Sequence, residues 1–400
     1  MTTFDQLGHT APPPDPGGGA APDLNALLAT VRQHAARTDE EASFPTAALT
    51  ELRRSRLLGL LVPVEYGGLG GTLTDMLDIA AKLSRECMSV GMVFAMHCQQ
   101  VAALVHHAAP RLHEELLPAV ARGEVYLASV TTEAGTGGHL LTSDTPLTAG
   151  PDHLHIDRTA PVVTGGTHAD GFLITTQAPG ATSPHQVSLI YAGRSQLDAA
   201  PTGNWDPLGM RSTHSLPLRL RGSVPPHQVV GEHGSFRDIT VRTFAPVAHL
   251  GWSSCWLGTA TGALSRTVSW LRSPEERKRR DMSSELLLTR LATVRQRLET
   301  THALIRYAAT AYQEAARDPA TPPAQLLMNT VKITASEQCF AAVDELVELA
   351  GLRHGYMRNA PLALERAWRD LRSASLNYSN DRLRLANGTM TLMDQEVTHA

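Results

Sequence analysis

Ser129, Thr131, Thr132 and Glu133 close the apolar run VYLASVT, and Gly135, Gly137 and Gly138 follow at once. Short hydroxyls, a carboxylate and main chain without Cβ cover can bring hydrogen-bonding groups close to a polar ligand, because only hydrogen shields the glycine backbone. The same residues also suit a strand end and a turn, with Thr serving β-structure and Gly the reversal. Taken alone, the stretch leaves both readings open. His97, in VFAMHCQQ on an expected helix, is either an acid–base group or a satisfied core histidine. His106, His107, His153 and His155 form no metal-like constellation, so no metal is expected. Cys87, Cys98, Cys255 and Cys339 lack ligand spacing and read as small buried hydrophobes in a reducing compartment rather than a zinc site or disulfide framework.

The elements that must position these groups fall into three blocks. After the Pro/Gly-rich residues 1–22, expected to be a disordered tail, Leu24, Leu27, Leu28 and Val31 recur at helical spacing with Asp23 as N-cap. A second helix is predicted from Pro45 to just before VPVEYGGLGG, a third over TDMLDIAAKLSREC and another over LHEELLPAVARG, so residues 23–123 read as a helical domain. From 124 to 232 the period changes to two, in VYLASVT, HLHID, GFLITT, VSLIYA and LPLRLRGSV, which predicts an antiparallel β-barrel or sandwich. From 233 to 400 the helical period returns. Leu287, Leu291, Val294, Leu298 and Ile305 form one stripe, and Val331, Ala335, Ala342, Leu346 and Leu349 another, which predicts an antiparallel four-helix bundle extended by a second subunit. The fold class is therefore α+β and multidomain.

With 400 residues, 42% of them hydrophobic, the chain can bury a sizeable core. A net charge of −4 argues against nucleic acid or anionic lipid as a partner, and the cluster Glu275–Arg280 is half balanced by its own acids. Neither a signal peptide nor a membrane span is expected, and the location is taken to be cytoplasmic.

The order of these blocks resembles the acyl-CoA dehydrogenase superfamily, and local stretches carry the likeness in register over about residues 23–390. LLVPVEYGGLGG (60–71) resembles the turn closing that family's second helix. SVTTEAGTGG (129–138) resembles its first flavin-binding segment and APVVTGGTHADGFLI (160–174) its second. DPLGMRSTHS (206–215) and ELAGLRHGYMRNAPLALERAWRD (348–370) resemble later signatures. The resemblance implies FAD, or FMN in a monooxygenase, held by Ser129, Thr131, Thr132, Gly137 and Gly138 together with Val162, Val163, Thr164 and Gly351. A flavin ring presents carbonyl oxygens and a ring nitrogen, which suit backbone N–H groups and short hydroxyls. Thr132 and Thr164 are the expected hydroxyl contacts. Two departures stand out: Val162 occupies the place of the family's usual Trp, and only Arg280 offers itself for the pyrophosphate.

The reaction is less defined. The position of the family's catalytic glutamate holds Tyr378, and the alternative position holds Ala248 beside His249. An ordinary phenol is a poor base, which leaves His249, Asp381 or Glu365 as replacements. RDLRSASLNYSNDRL is also similar to the flavin monooxygenase branch, whose members use reduced flavin and O₂. Asn380 and Asp381 match that branch, and Asn377 stands where it has histidine. The resemblance thus implies first a flavin dehydrogenase desaturating an acyl thioester on CoA or a carrier protein, second a flavin monooxygenase, and third a non-catalytic member. It also implies a flavin reductase or electron-transfer partner and a homodimer or homotetramer. Tyr378, Asn377, Asp381, His97 and His249 are the candidate catalytic residues.

Overall fold

Five helices open the fold: α1 (Leu24–Glu41), α2 (Thr46–Arg54), α3 (Leu73–Glu86), α4 (Met88–His107) and α5 (Pro110–Ala121). The computed structural model describes residues 23–135, 139–314, 318–358, 360–394 and 397; the expected tail and Gly137 and Gly138 lie outside these. α1 starts where the Asp23 carboxylate accepts the Ala26 N–H at 3.0 Å. α3 starts on a reciprocal cap, with Thr72 Oγ1 accepting from Asp75 N and Asp75 Oδ2 from Thr72 N. The helix expected to run from Pro45 towards Leu61 is shorter. It stops at Arg54, and Arg56 takes a left-handed φ of 58° that turns Leu57, Leu58 and Leu60 into the core.

The expectation that no segment is long enough to span a membrane needs correcting. α4 has 20 residues without Asp, Glu, Lys or Arg and passes that test by length and composition. Its apolar character on every side is that of a core helix, and 89% of its most apolar window is buried inside the protein.

Eight strands follow: β1 (Leu127–Val130), β2 (Thr148–Ala149), β3 (Leu154–Ala160), β4 (Gly171–Gln177), β5 (Val187–Gly193), β6 (Leu197–Pro201), β7 (Leu218–Val224) and β8 (Val229–Val230). Among the described residues they form two four-stranded sheets, ordered β1-β4-β5-β8 and β2-β3-β7-β6, and no closed barrel. The expected all-antiparallel pairing fails at one place. β1 lies parallel to β4, from Leu127 opposite Gly171 to Val130 opposite Ile174. The chain leaves β1, makes β2 and β3 in the other sheet, and only then returns, a crossover that brings β4 in running the same way. Along β3 burial alternates strictly, so Leu154, Ile156 and Ala160 face inward, and so does Arg158.

The remaining helices are α6 (Phe236–Ile239), α7 (Ala245–Leu271), α8 (Pro274–Arg279), α9 (Glu285–Gln313), α10 (Pro322–Gly351), α11 (Leu364–Arg372) and α12 (Asn380–Met393). α7, α9, α10 and α12 make the antiparallel bundle, with α3 packed on α7. The stripes expected on α9 and α10 face its interior, where Val294, Leu298, Ile305, Val331, Ala335 and Leu346 are buried. The approach of α3 to α7 depends on Gly258, where a Cβ would stand 2.2 Å from the Ala81 carbonyl oxygen.

Candidate active site

A cavity of about 690 Å³ opens where the two sheets meet the bundle. Its sheet side consists of Ser129 on β1, Thr131 and Thr132 just beyond it, Val162 and Thr164 after β3, and Gly209, Met210, Thr213 and Ser215 before β7. Its bundle side includes Met92, Met96 and Gln99 on α4, Phe244, Ala245, Pro246, Ala248, His249 and Trp252 around the start of α7, Met328 and Asn329 on α10, and Ser373, Leu376–Ser379, Arg382, Leu383, Ala386 and Met390 ahead of and along α12. Most of this wall is apolar, in a volume typical of sites that enclose a small organic molecule.

On the sheet side, hydroxyls organise the main chain. Thr132 Oγ1 donates to Val162 O at 2.9 Å and accepts from Val162 N at 3.3 Å, which ties the two expected flavin segments together. One lone pair of that oxygen remains for a ligand. Thr164 Oγ1 lies 3.0 Å from Ser215 Oγ, which lies 2.8 Å from Thr213 Oγ1; that hydroxyl in turn donates to Met210 O at 2.8 Å. The carboxylate in this stretch is structural. Glu133 pairs with the inward Arg158 at 2.8 Å, and both are largely buried. Arg158 also donates to Thr132 O at 3.0 Å, so it fixes the strand end from behind.

On the bundle side, burial sets the protonation states of His249 and Tyr378. Desolvation pulls the His249 imidazole down to about 3, with Lys332 pushing the same way and the Met328 carbonyl the other. Desolvation raises the Tyr378 phenol above its ordinary value, opposed by Arg382. Near neutral pH the cavity therefore presents a neutral imidazole and a protonated phenol. Arg382 is the only charged side chain lining it among the described residues, and no Asp or Glu lines it.

Ser129, Thr131, Thr132, Val162, Thr164, His249, Asn377 and Tyr378 thus share one chamber. The other expected site residues lie elsewhere. His97 is fully buried, with Nε2 2.8 Å from Leu58 O and Nδ1 accepting the Leu127 N–H at 3.0 Å; both nitrogens are used, and burial holds its imidazole down to about 4. It fastens α4 to β1 and has no nitrogen left for catalysis. Asp381 points to solvent from the first turn of α12, its side chain 93% exposed, and Val163 is fully buried and does not line the cavity. Glu365 is held by Arg369 at 2.8 Å. Arg280 binds Glu276 at 2.9 Å and lies over the Trp270 ring at 4.8 Å, and Gly351 ends α10 with a φ of 70°; neither lines the cavity. Sequence reasoning missed Trp205, Phe244, Met92 and Met96, whose apolar side chains carry no local signal that separates a cavity wall from a core.

The residues present fit a flavin. The two tied main-chain segments offer short hydroxyls, and Val162, 40% exposed, gives an apolar surface beside them. The chain matches the acyl-CoA dehydrogenase N-terminal domain over residues 26–124 and the acyl-CoA dehydrogenase C-terminal domain over residues 243–377. These features define a flavin-dependent oxidoreductase with FAD or FMN as its cofactor. The protein belongs to the acyl-CoA dehydrogenase family. Isobutyryl-CoA dehydrogenase from Bos taurus is 23% identical over 364 residues, covering 90% of this chain and 85% of its own. Amino sugar nitrososynthase DnmZ from Streptomyces peucetius is 27% identical over 388 residues, covering 92% and 91%. Among solved structures, FMN-bound TdsC from Paenibacillus sp. A11-2 superposes with a TM-score of 0.83 at 24% identity, over 94% of this chain and 98% of that one.

Proposed function

We propose that this protein is a flavin-dependent monooxygenase acting on a small, electron-rich substrate enclosed in the cavity. One observation carries the reading: the wall formed by His249, Asn377 and Tyr378 contains no carboxylate among the described residues. Removing an α-proton from an acyl thioester needs a base that is ionised and mobile at neutral pH. A buried phenol held protonated is not one, and an imidazole lowered to about 3 has little affinity for a proton. Oxygen transfer to a nitrogen, a sulfur or an electron-rich ring makes no such demand, because the substrate supplies the attacking electrons. The likeness to a nitrososynthase along nine tenths of both chains supports the same reading.

Reduced flavin held by residues 129–132 and 162–164 would supply two electrons to O₂, of which one atom passes to the substrate and the other leaves as water. Around it, Tyr378 Oη keeps its proton and can donate a hydrogen bond, while the Asn377 amide can both donate and accept. Met92, Met96, Phe244 and Leu383 exclude water from the reacting atoms. A separate reductase is the matching partner, and a homodimer or homotetramer in the cytoplasm remains the expected setting. The test supplies reduced FMN or FAD and ¹⁸O₂ to the purified protein with a panel of amines, thioethers and aromatic rings. One labelled oxygen in a product supports the proposal. Anaerobic bleaching of the bound flavin by an acyl-CoA or acyl-carrier thioester, with an enoyl product, would replace it with the dehydrogenase reading.

A further inference from the structure

Lys332 on α10 is a lysine with no solvent exposure, and two of its three N–H groups find oxygen partners. Nζ donates to Asn380 Oδ1 at 2.7 Å and to the Tyr378 main-chain carbonyl at 3.0 Å, and it sits 5.6 Å from the centre of the Trp256 ring. The Asn380 amide is oriented in turn, because its Nδ2 donates to Ser336 Oγ at 3.0 Å and to Glu337 Oε1 at 3.1 Å. The residue whose carbonyl it grips is the strained one. Tyr378 has a φ of 50°, a left-handed backbone that aromatic side chains rarely adopt and that persists only where surrounding contacts enforce it.

From this geometry we infer that Lys332 is a positioning residue, which clamps the turn before α12 so that Asn377 and Tyr378 face the cavity. The clamp does not touch the cavity itself; it lies one layer behind it, since Lys332 is absent from the lining while Asn377, Tyr378 and Ser379 belong to it. Burial pulls the ammonium down to about 7, with the Glu337 carboxylate pulling up and Arg384 down, and this same charge helps keep His249 neutral. A buried ammonium is costly, and a methionine of the same length would pack there without that cost. Retaining a lysine is therefore explained by what its two oxygen partners do, which is to hold a strained turn in one conformation. This importance for turnover rests on the cavity being the reaction chamber, whereas the clamp itself does not.

The test uses the full-length protein carrying 3-fluorotyrosine at its seven tyrosines, with the Tyr378 line assigned by its loss in Tyr378→Phe. In Lys332→Met the Tyr378 ¹⁹F line is expected to shift and broaden while the other lines hold, and Lys332→Arg is expected to restore most of its position. Incorporation of ¹⁸O from ¹⁸O₂ into the product found with the panel of amines, thioethers and aromatic rings should fall roughly 10- to 100-fold in Lys332→Met, the loss typical of a reacting group displaced by about an ångström. A Tyr378 line unchanged in Lys332→Met would overturn the proposal. If that variant does not fold, Lys332→Gln serves in its place and the same unchanged line is decisive. A moved line with unchanged turnover would uphold the clamp and strike out the chamber's catalytic role.

Discussion

Asp370 gives the sharpest handle on how burial shapes this fold. It is 4% exposed at the end of α11, where its Oδ1 accepts the Met210 N–H at 2.6 Å and so fixes the loop that floors the cavity. Its neighbour Arg369 is already engaged by Asp39 at 2.6 Å and Glu365 at 2.8 Å. Desolvation and then the Asp39 charge push the Asp370 acid up to about 6, against pulls from the Met210 N–H, Arg366 and Arg369. Between its ordinary 3.8 and about 6, the folded protein holds a proton here that the unfolded chain has released, so stability falls as pH rises through that window. At about 1.4 kcal/mol per pH unit, the window from 3.8 to about 6 amounts to about 3 kcal/mol, fully expressed above it. Asp370→Asn keeps an oxygen for Met210 N and carries no charge. Any constant effect of the amide cancels when urea unfolding of the two proteins is compared from pH 4 to 7.5. The stability difference should move in favour of Asp370→Asn by about 2.5 kcal/mol over that range, most of it between pH 4 and 6. A difference that stays flat, or moves towards the parent protein, would refute the assignment of a protonated buried carboxyl.

Further outcomes follow from other contacts. Glu133→Ala leaves the buried Arg158 without its carboxylate and should cost about 3–5 kcal/mol in chemical unfolding; a loss below about 1 kcal/mol would mean that Arg158 reaches water. Gly258→Ala drives a Cβ against the Ala81 carbonyl and should cost about 1–3 kcal/mol, read as a lowered Tm. Tyr378→Phe should leave the unfolding midpoint nearly unchanged and slow turnover; identical kinetics would remove the phenol from the mechanism. Thr132→Val cuts the Thr132–Val162 tie and should weaken FMN and FAD binding in a fluorescence titration; equal affinity would show that the hydroxyl serves the strands alone.

Periodicity made the large elements legible. The stripes of α9 and α10 and the alternation of β3 and β7 each declare a buried face, and the resemblance of residues 129–138 and 160–174 to the family's flavin segments marked the sheet side of the cavity. α4 escaped that reasoning because a helix enclosed on all sides has no polar face to give it a period. The parallel β1–β4 pair is equally silent in the sequence, since strand direction is set by the route of the chain through the second sheet. His97 and Lys332 show the limit for single residues. The first leaves an acid–base role and a core role both open in the sequence and is a tether with both nitrogens committed; nothing in the sequence singles out the second, and it is buried. Their roles depend on Leu58, Leu127, Tyr378 and Asn380, partners 30 to 48 residues away that no local pattern announces.

The chamber's wall is contributed by segments from Met92 to Met390, so its bundle side includes pieces made long after its first. A nascent protein on the ribosome can complete both sheets and most of the bundle while one side of this chamber is still missing. Ligand capture is thereby deferred until residues 373–390 have been made, and a product of premature termination before residue 373 would carry an open trough in place of a walled chamber.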